Sequence, residues 1–92
     1  MELADLRTLV SVMEAGSITA AAKELNRVPS GVTTRILQLE EELGVEIFVR
    51  AGKRLTGLTP PGEVLLPTVE RLLLEADNLR RAGQDFSDSA QG

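Results

Sequence analysis

The side chains whose chemistry stands out in this sequence are cations, hydroxyls and an amide gathered in two stretches. Residues 26–39 and 50–59 together hold five basic residues and no acidic residue. The cations are Arg27, Arg35, Arg50, Lys53 and Arg54. Arginine and lysine bind phosphate, and arginine, glutamine, serine and threonine also read base edges in a DNA groove. The two stretches therefore predict a local surface for nucleic acid.

The composition of the whole chain points the other way at first. Ten basic and 14 acidic residues give a formal net charge of -4, which argues against phosphate binding if charge is taken as an average. Charges are screened over a Debye length of about 8 Å at physiological salt, so the distant acids do not cancel a local basic face. The alternative is that these cations are ordinary solvated residues of the protein surface.

Enzymatic and metal chemistry lack the residues they need. The sequence has no Cys and no His, so a zinc finger, a thiol nucleophile and a Ser-His-Asp triad are excluded. We therefore expect no enzymatic activity, no metal site and no cofactor. The first residues have neither a basic segment nor an apolar core of a signal peptide, and no apolar run is long enough for a membrane span. The chain is expected to be cytoplasmic and without a membrane partner.

Apolar spacing indicates three helices that would position the basic stretches. Leu6, Leu9, Val10 and Met13 follow one helical face between residues 3 and 14, and Gly16 ends that helix. Ser17 is a good N-cap for a short alanine-rich helix. After a turn at residues 26–28, a third helix is predicted from about Pro29 to Gly44. Its apolar face is formed by Val32, Ile36, Leu39 and Leu43, and its polar face by Ser30, Thr33, Thr34, Arg35 and Gln38.

The pattern changes after Gly44. Residues 45–49 are mostly β-branched or aromatic, residues 50–54 form a glycine-bearing turn, and residues 55–59 would return as a second strand. Thr59 and Pro60 then predict the start of a last helix that reaches about Ala82. The expected organisation is a DNA-binding unit over 1–59, with the helix-turn-helix at 17–36 and the wing at 45–59. A linker helix over 60–83 and a flexible tail over 84–92 follow.

The last helix carries more apolar surface than one small neighbour needs. Five of its residues recur at the 3.5-residue repeat of a helix seam, and Leu73 widens the stripe. The stripe is either core within one chain or a dimer seam, and the dimer seam is favoured. The predicted interface residues are Leu65, Val69, Leu72, Leu73, Ala76 and Leu79. The acidic run Glu40-Glu41-Glu42 is expected to be solvated or to face a pairing helix.

These elements make a mainly α fold: a winged helix-turn-helix of three helices and a two-stranded wing, followed by a long helix. The chain resembles the N-terminal DNA-binding domain of LysR-type transcriptional regulators. The resemblance rests on residues 15–19 (Ala-Gly-Ser-Ile-Thr), on Ala21-Ala22-x-x-Leu25, on Val32-Thr33-x-x-Ile36-x-x-Leu39-Glu40 with Glu42-Leu43-Gly44, on Phe48-x-Arg50, and on Leu58-Thr59-x-x-Gly62.

The resemblance implies that the third helix lies in the major groove of double-stranded DNA and that the wing touches the flanking backbone or a minor groove. Contact positions carried over from the family are Val28, Pro29, Ser30, Thr33 and Thr34, and Ser17 lies at a helix start that often meets a phosphate. This chain has Val28-Pro29-Ser30-Gly31-Val32-Thr33-Thr34 where the family commonly has Ser-Gln-Pro-Ala-Leu-Ser-Arg. A glutamine and an arginine are thus replaced, and Arg35 and Gln38 are expected to compensate.

The resemblance further implies a homodimer or higher homo-oligomer on a pseudo-palindromic operator. It also implies a larger C-terminal domain, outside these 92 residues, that binds a small-molecule effector. A second hypothesis is an acidic helical module that docks a protein partner through its last helix and binds no DNA. The net charge and the leucine-rich stripe support that alternative.

Overall fold

The computed structural model describes residues 1–52 and 54–91 and contains four helices and one small sheet. The helices are α1 (Leu3–Ala15), α2 (Ile18–Glu24), α3 (Pro29–Leu43) and α4 (Pro60–Gln91). Strands β1 (Phe48–Ala51) and β2 (Arg54–Leu58) pair antiparallel between α3 and α4. The predicted winged helix-turn-helix with a long final helix is confirmed.

The ends of the first three helices follow from local residue chemistry. Gly16 and Gly44 end α1 and α3 in the left-handed conformation, with φ of 77° and 76°, which glycine adopts without a side-chain clash. The Ser17 hydroxyl accepts a hydrogen bond from the Ala20 N–H at 3.0 Å, so the predicted N-cap of α2 is confirmed. Pro29 occupies the first turn of α3, where its missing N–H costs nothing.

The hairpin begins later than the sequence indicated. Residues 45–47 were expected to be strand, but β1 starts at Phe48, and Arg50 and Ala51 belong to the strand instead of the turn. Ile47 explains the difference because its backbone groups bond outside the sheet. Its N–H donates to a Glu40 carboxylate oxygen at 2.6 Å, and its carbonyl accepts from the Thr59 N–H at 2.9 Å. Thr59 likewise lies beyond β2, and its hydroxyl accepts from the Gly62 N–H at 3.0 Å.

One hydrophobic core joins all four helices and the base of the hairpin. Each of the first three helices turns its apolar stripe inward, and α4 closes the core from outside. The buried apolar residues are Leu6, Leu9, Val12, Ala21, Ala22, Val32, Ile36, Leu39, Ile47, Phe48, Leu66 and Val69. The core therefore fixes α3 against α1 and α2 and leaves the opposite side of α3 exposed.

Helix α4 extends past the predicted end near Ala82 and runs through the segment expected to be a flexible tail. It has 32 residues and ends at Gln91. Gly83 costs a helix only about 1 kcal/mol, and no proline follows it. A side-chain pair one turn apart supports the segment, with Gln84 bonded to Asp88 at 3.4 Å. Across residues 1–52 and 54–91, no helix has the length and apolar character needed to cross a membrane.

Candidate nucleic-acid interface

The turn between α2 and α3 sets the angle at which α3 leaves the core. Ala21 and Ala22 are buried, and their small side chains let the two helices approach closely. Asn26 adopts a positive φ of 57°, which asparagine tolerates better than most residues. The Arg27 N–H donates to the Ala22 carbonyl at 2.8 Å and closes the turn. The predicted turn thus carries α3 across α2 in the helix-turn-helix arrangement.

Helix α3 divides into a buried and an exposed side. Val32, Ile36 and Leu39 are at most 2% exposed and hold the helix in the core. The exposed predicted contact residues on this helix and just before it are Arg27, Val28, Pro29, Ser30, Thr33, Thr34 and Gln38. The Thr34 hydroxyl donates to the Ser30 carbonyl at 2.9 Å, so its hydrogen is used within the helix and its oxygen keeps only the capacity to accept. The structure brings these residues together on one surface.

Arg35, also predicted to contact DNA, is held by a carboxylate from another helix. Its Nη1 lies 2.7 Å from Oδ1 of Asp5 at the start of α1. The other Asp5 oxygen accepts from the Glu2 N–H at 2.9 Å. The hydrogen bond from the Glu2 backbone, reinforced by the Arg35 guanidinium, holds the pKa of the Asp5 carboxyl below its ordinary value. The ionised Asp5 therefore ties α3 to α1 and partly neutralises Arg35.

Glu40 corrects the expectation that the acidic run is solvated. Its side chain is 6% exposed, and it accepts from the Ile47 and Phe48 N–H groups at 2.6 and 3.3 Å. Its second oxygen lies 2.7 Å from Nη2 of Arg50 on β1. Position 40 follows Ile36 by four residues and precedes Leu43 by three, which places it within the apolar face of α3 and was the available signal. Glu40 thus fastens the hairpin to α3.

The remaining predicted cations differ from Arg35 and Arg50. Arg27 and Arg54 are exposed and form no salt bridge within the described residues. Lys53 lies outside the described residues. A cleft of about 290 Å³ between α3 and the hairpin is lined by both Thr33 and Arg50. The wing and the exposed side of α3 are therefore neighbours, as the winged arrangement requires.

The predicted dimer residues fall into two groups. Val69 is 5% exposed and Leu73 is half-buried, and both pack against the core of the same chain. Leu65 and Ala76 are partly exposed, whereas Leu72 and Leu79 are 46% and 74% exposed. Phe86, seven residues after Leu79, is 79% exposed and extends the stripe. It was missed because the helix was expected to end before it, although the seven-residue spacing from Leu65 through Leu72 and Leu79 pointed to it.

The fold is that of a winged helix-turn-helix protein. It has three helices, a turn that sets α3 across α2, and a hairpin held beside α3. The model of the family described as "Bacterial regulatory helix-turn-helix protein, lysR family" matches residues 3–63. The chain belongs to this family of bacterial regulators, which is not a family of enzymes.

Curated relatives agree with this assignment. The transcriptional regulator SsuR of Burkholderia cenocepacia is 50% identical over 76 residues, which are 83% of this chain and 25% of that protein. The regulator CzcR of Bacillus thuringiensis subsp. konkukian is 47% identical over 89 residues, 97% of this chain and 30% of that protein. The chain therefore spans between a quarter and a third of the length of these relatives.

Solved structures share the fold over nearly the whole chain. The complex of BenM_DBD with catB site 1 DNA has a TM-score of 0.90 and 30% identity, and covers 97% of this chain and 95% of that one. The CbnR_DBD–DNA complex has a TM-score of 0.83 and 32% identity, and covers 98% of this chain and 99% of that one. The likeness includes α4 as well as the winged helix-turn-helix.

Proposed function

We propose that this chain binds double-stranded DNA sequence-specifically, as the DNA-binding part of a LysR-family transcriptional regulator. Helix α3 lies in the major groove, which is about 12 Å wide and admits one helix. The hairpin touches the flanking backbone or a minor groove through Arg54. The observation that carries the proposal is the exposed side of α3 with its neighbouring hairpin, whose stretches hold five basic residues and no acidic residue.

The carboxylates that approach this surface come from outside the two stretches and are occupied. Asp5 bonds to Arg35, and Glu40 bonds to Arg50 and to two backbone N–H groups. Arg27 and Arg54 have no such partner among the described residues, so of the four described cations in the two stretches they are best able to neutralise phosphates. The alternative of an acidic docking module without DNA binding is not favoured, because structural neighbours that share this fold over nearly their whole length are complexes with DNA.

A selection of bound duplexes from a random library tests the proposal. Enrichment of related sequences is expected, and the affinity for the enriched duplex should fall steeply with salt because phosphate contacts release counterions. Arg54→Ala should weaken binding to all sequences and reduce the magnitude of the log-log salt slope by about 1 for each bound subunit. Arg81→Ala, which removes an exposed arginine of α4 far along the helix, is the matched control and should leave both unchanged. No enrichment, or a flat salt slope, would reject DNA binding.

We also propose that the chain forms a dimer through α4 and reads a pseudo-palindromic operator. After Leu73 the helix has no core to cover, yet Leu79 and Phe86 are among the most exposed apolar side chains described. Together with Leu72 and Ala76 they form one stripe of repeat close to 3.5, which is the geometry of a two-helix seam. Twofold pairing would place two copies of α3 on two half-sites.

Light scattering on a matched pair of variants tests the dimer. Leu79→Glu puts a charge in the stripe and should give a monomer. Leu74→Glu makes the same change at a leucine that is 55% exposed but lies off the stripe, and it should remain dimeric. Equal masses for the two variants would contradict pairing through this stripe.

The regulator as a whole is proposed to act in the cytoplasm and to respond to a small-molecule effector through a region outside these residues. The relatives support this because they are transcriptional regulators three to four times as long as the matched segment. Joining this chain to the effector-binding region of such a regulator and measuring effector-dependent transcription from the selected duplex would test it. Unchanged transcription with every effector tried would count against an effector-dependent regulator.

A further inference from the structure

The hairpin is too small to hold its own position on the molecule. Its two strands have four and five residues. An isolated two-stranded hairpin is marginally stable in water, so the direction of its tip depends on contacts with the rest of the chain. At the base of the hairpin Phe48 is buried, whereas the other residues of β1 are exposed. Packing therefore anchors the base, and the tip needs a different contact.

A bulge separates the base of the hairpin from its tip. The pairing register of the strands shifts between Val49 and Arg50. A bulge leaves a residue unpaired and bends the strand, so the pairs at the base do not set the direction of the pairs beyond it. The first pair beyond the bulge is Arg50 with Leu55. The next pair is Ala51 with Arg54, the exposed arginine of the hairpin.

Leu55 and Arg50 connect the first pair beyond the bulge to the rest of the chain. Leu55 is partly buried against the core, and Nη2 of Arg50 donates to Oε1 of Glu40 at 2.7 Å. Glu40 is itself held, because its other oxygen accepts from the Ile47 and Phe48 N–H groups and its side chain is 6% exposed. Apolar contact is non-directional, whereas a charged hydrogen bond to a fixed carboxylate defines an orientation.

We propose that Glu40 is a positioning residue for DNA binding, which acts through Arg50 to orient the hairpin tip so that Arg54 reaches a phosphate. The inference rests on the proposed contact of Arg54 with DNA. Arg54 lies in the pair next to Arg50, about 3.3 Å along the strand, so the orientation of the Arg50 pair carries over to Arg54. Glu40 is buried and both of its oxygens are bonded within the chain, so it acts on DNA binding without touching DNA.

A double-mutant cycle of DNA affinity tests this inference. Affinity for the selected duplex is measured with the complete chain, at a temperature where every variant is folded. In the wild type, Arg54→Ala should weaken binding by about tenfold per bound subunit, the value of one charged hydrogen bond. In a Glu40→Gln background, which keeps the size of the side chain but removes its charge, the same change should cost less than about threefold. A purely structural role of Glu40 would lower stability and leave the two factors equal.

Arg27→Ala in the same two backgrounds is the matched control. Arg27 is also exposed and forms no salt bridge within the described residues, but it lies in the turn before α3 and not on the hairpin. Its loss should weaken binding by the same factor with and without the carboxylate of Glu40.

Arg50→Gln provides a second way to break the contact. It leaves the bonds from Glu40 to the backbone in place, so it should fold even if Glu40→Gln does not. In this background Arg54→Ala should again cost less than in the wild type.

The inference is overturned if Arg54→Ala weakens binding by the same factor in the wild type and in both backgrounds. It is also overturned if Arg54→Ala has no effect on the wild type. In either case the proposed DNA binding through α3 stands as long as a duplex is enriched and Arg27→Ala weakens binding to it. A selection that enriches no duplex would instead reject the proposed function and this inference with it.

Discussion

The body of the molecule, residues 3–73, and the distal part of α4, residues 74–91, treat their apolar side chains in opposite ways. In the body, Leu9, Val12 and Ile36 are at most 1% exposed and pack into one core. In the distal helix, none of the side chains described between residues 74 and 89 is buried, and Leu79 and Phe86 are exposed by 74% and 79%. Sequence pattern alone does not separate these cases, because both segments show amphipathic spacing.

The two regions draw their stability from different interactions. The body has inter-helix packing and buried hydrogen bonds of its own. The distal helix has exposed pairs within the helix, such as Arg80 with Asp77, and a 3.9 Å salt bridge from Asp77 to Arg7 of α1. Helical segments gain most of their stability from packing of an apolar face. A second copy of the chain would give the distal stripe that packing. Substitutions of one type, placed once in each region, should therefore have different effects on stability.

Leucine truncation should show the largest contrast. Leu9→Ala leaves a cavity in the core and should lower the free energy of unfolding by about 3 kcal/mol. Leu79→Ala removes the same atoms from solvent-exposed helix and should change it by less than about 0.5 kcal/mol in a sample dilute enough to be monomeric. Urea denaturation followed by circular dichroism measures both. Similar losses would show that the distal helix packs within one chain.

Replacing glycine by alanine should change stability in opposite directions in the two regions. Gly62 lies where α4 joins the body, and an added Cβ would fall 2.3 Å from the Ile47 carbonyl oxygen, so backbone must shift. Gly62→Ala should cost about 2 kcal/mol by overpacking. Gly83 lies in the distal helix with nothing within 4 Å of an added Cβ, and Gly83→Ala should stabilise its helix by up to about 1 kcal/mol. Thermal melts of the two variants should therefore move in opposite directions.

Loss of the charge of Glu40, which joins α3 to the hairpin, should lower stability more than loss of the charge of the neighbouring Glu41. Glu40→Gln keeps the size of the side chain but removes the charge that holds Arg50 and two backbone N–H groups, and should cost about 1.5 kcal/mol. Glu41→Gln, at an exposed position next to it, should have an effect below about 0.5 kcal/mol. Equal unfolding midpoints for the two variants would show that the hairpin is held without Glu40.

Helices and turns were predictable from the sequence to the extent that their signals are local. Gly16, Ser17, Pro29 and Gly44 mark helix ends through backbone conformation or capping, and all four lie where they were predicted. The register of the hairpin is not determined by local signals. It depends on Ile47, whose N–H bonds to Glu40, seven residues earlier in the chain, and whose carbonyl bonds to Thr59, twelve residues later. Neither partner is marked by the pattern of residues 45–49.

The candidate site shows the same division. The exposed side of α3 follows from helical periodicity, since the face opposite Val32 and Ile36 must point outward. Periodicity does not indicate which arginines are paired with a carboxylate. Arg35 and Arg27 look alike in sequence, but a carboxylate 30 residues away in the chain holds Arg35. Only the packing of α1 on α3 reveals that pairing.

Asp5 gives the smallest and most specific contrast between the regions. Asp5→Asn removes the ion pair with Arg35 and weakens the bond to the Glu2 N–H, and should cost about 1 kcal/mol at pH 7. Asp77→Asn removes two exposed pairs of the distal helix, with Arg80 and with Arg7, and should change stability by less than about 0.5 kcal/mol. The pKa of Asp5 is lowered in the folded chain, so its stabilisation is present above the unfolded value near 3.9 and is lost as the pH falls through the folded value. Urea denaturation measured at several pH values between 7 and 3 should therefore show that the free energy of unfolding of the Asp5→Asn variant approaches that of the wild type below about pH 4. A difference that stays constant across this range would mean that Asp5 acts through its shape and not through its charge.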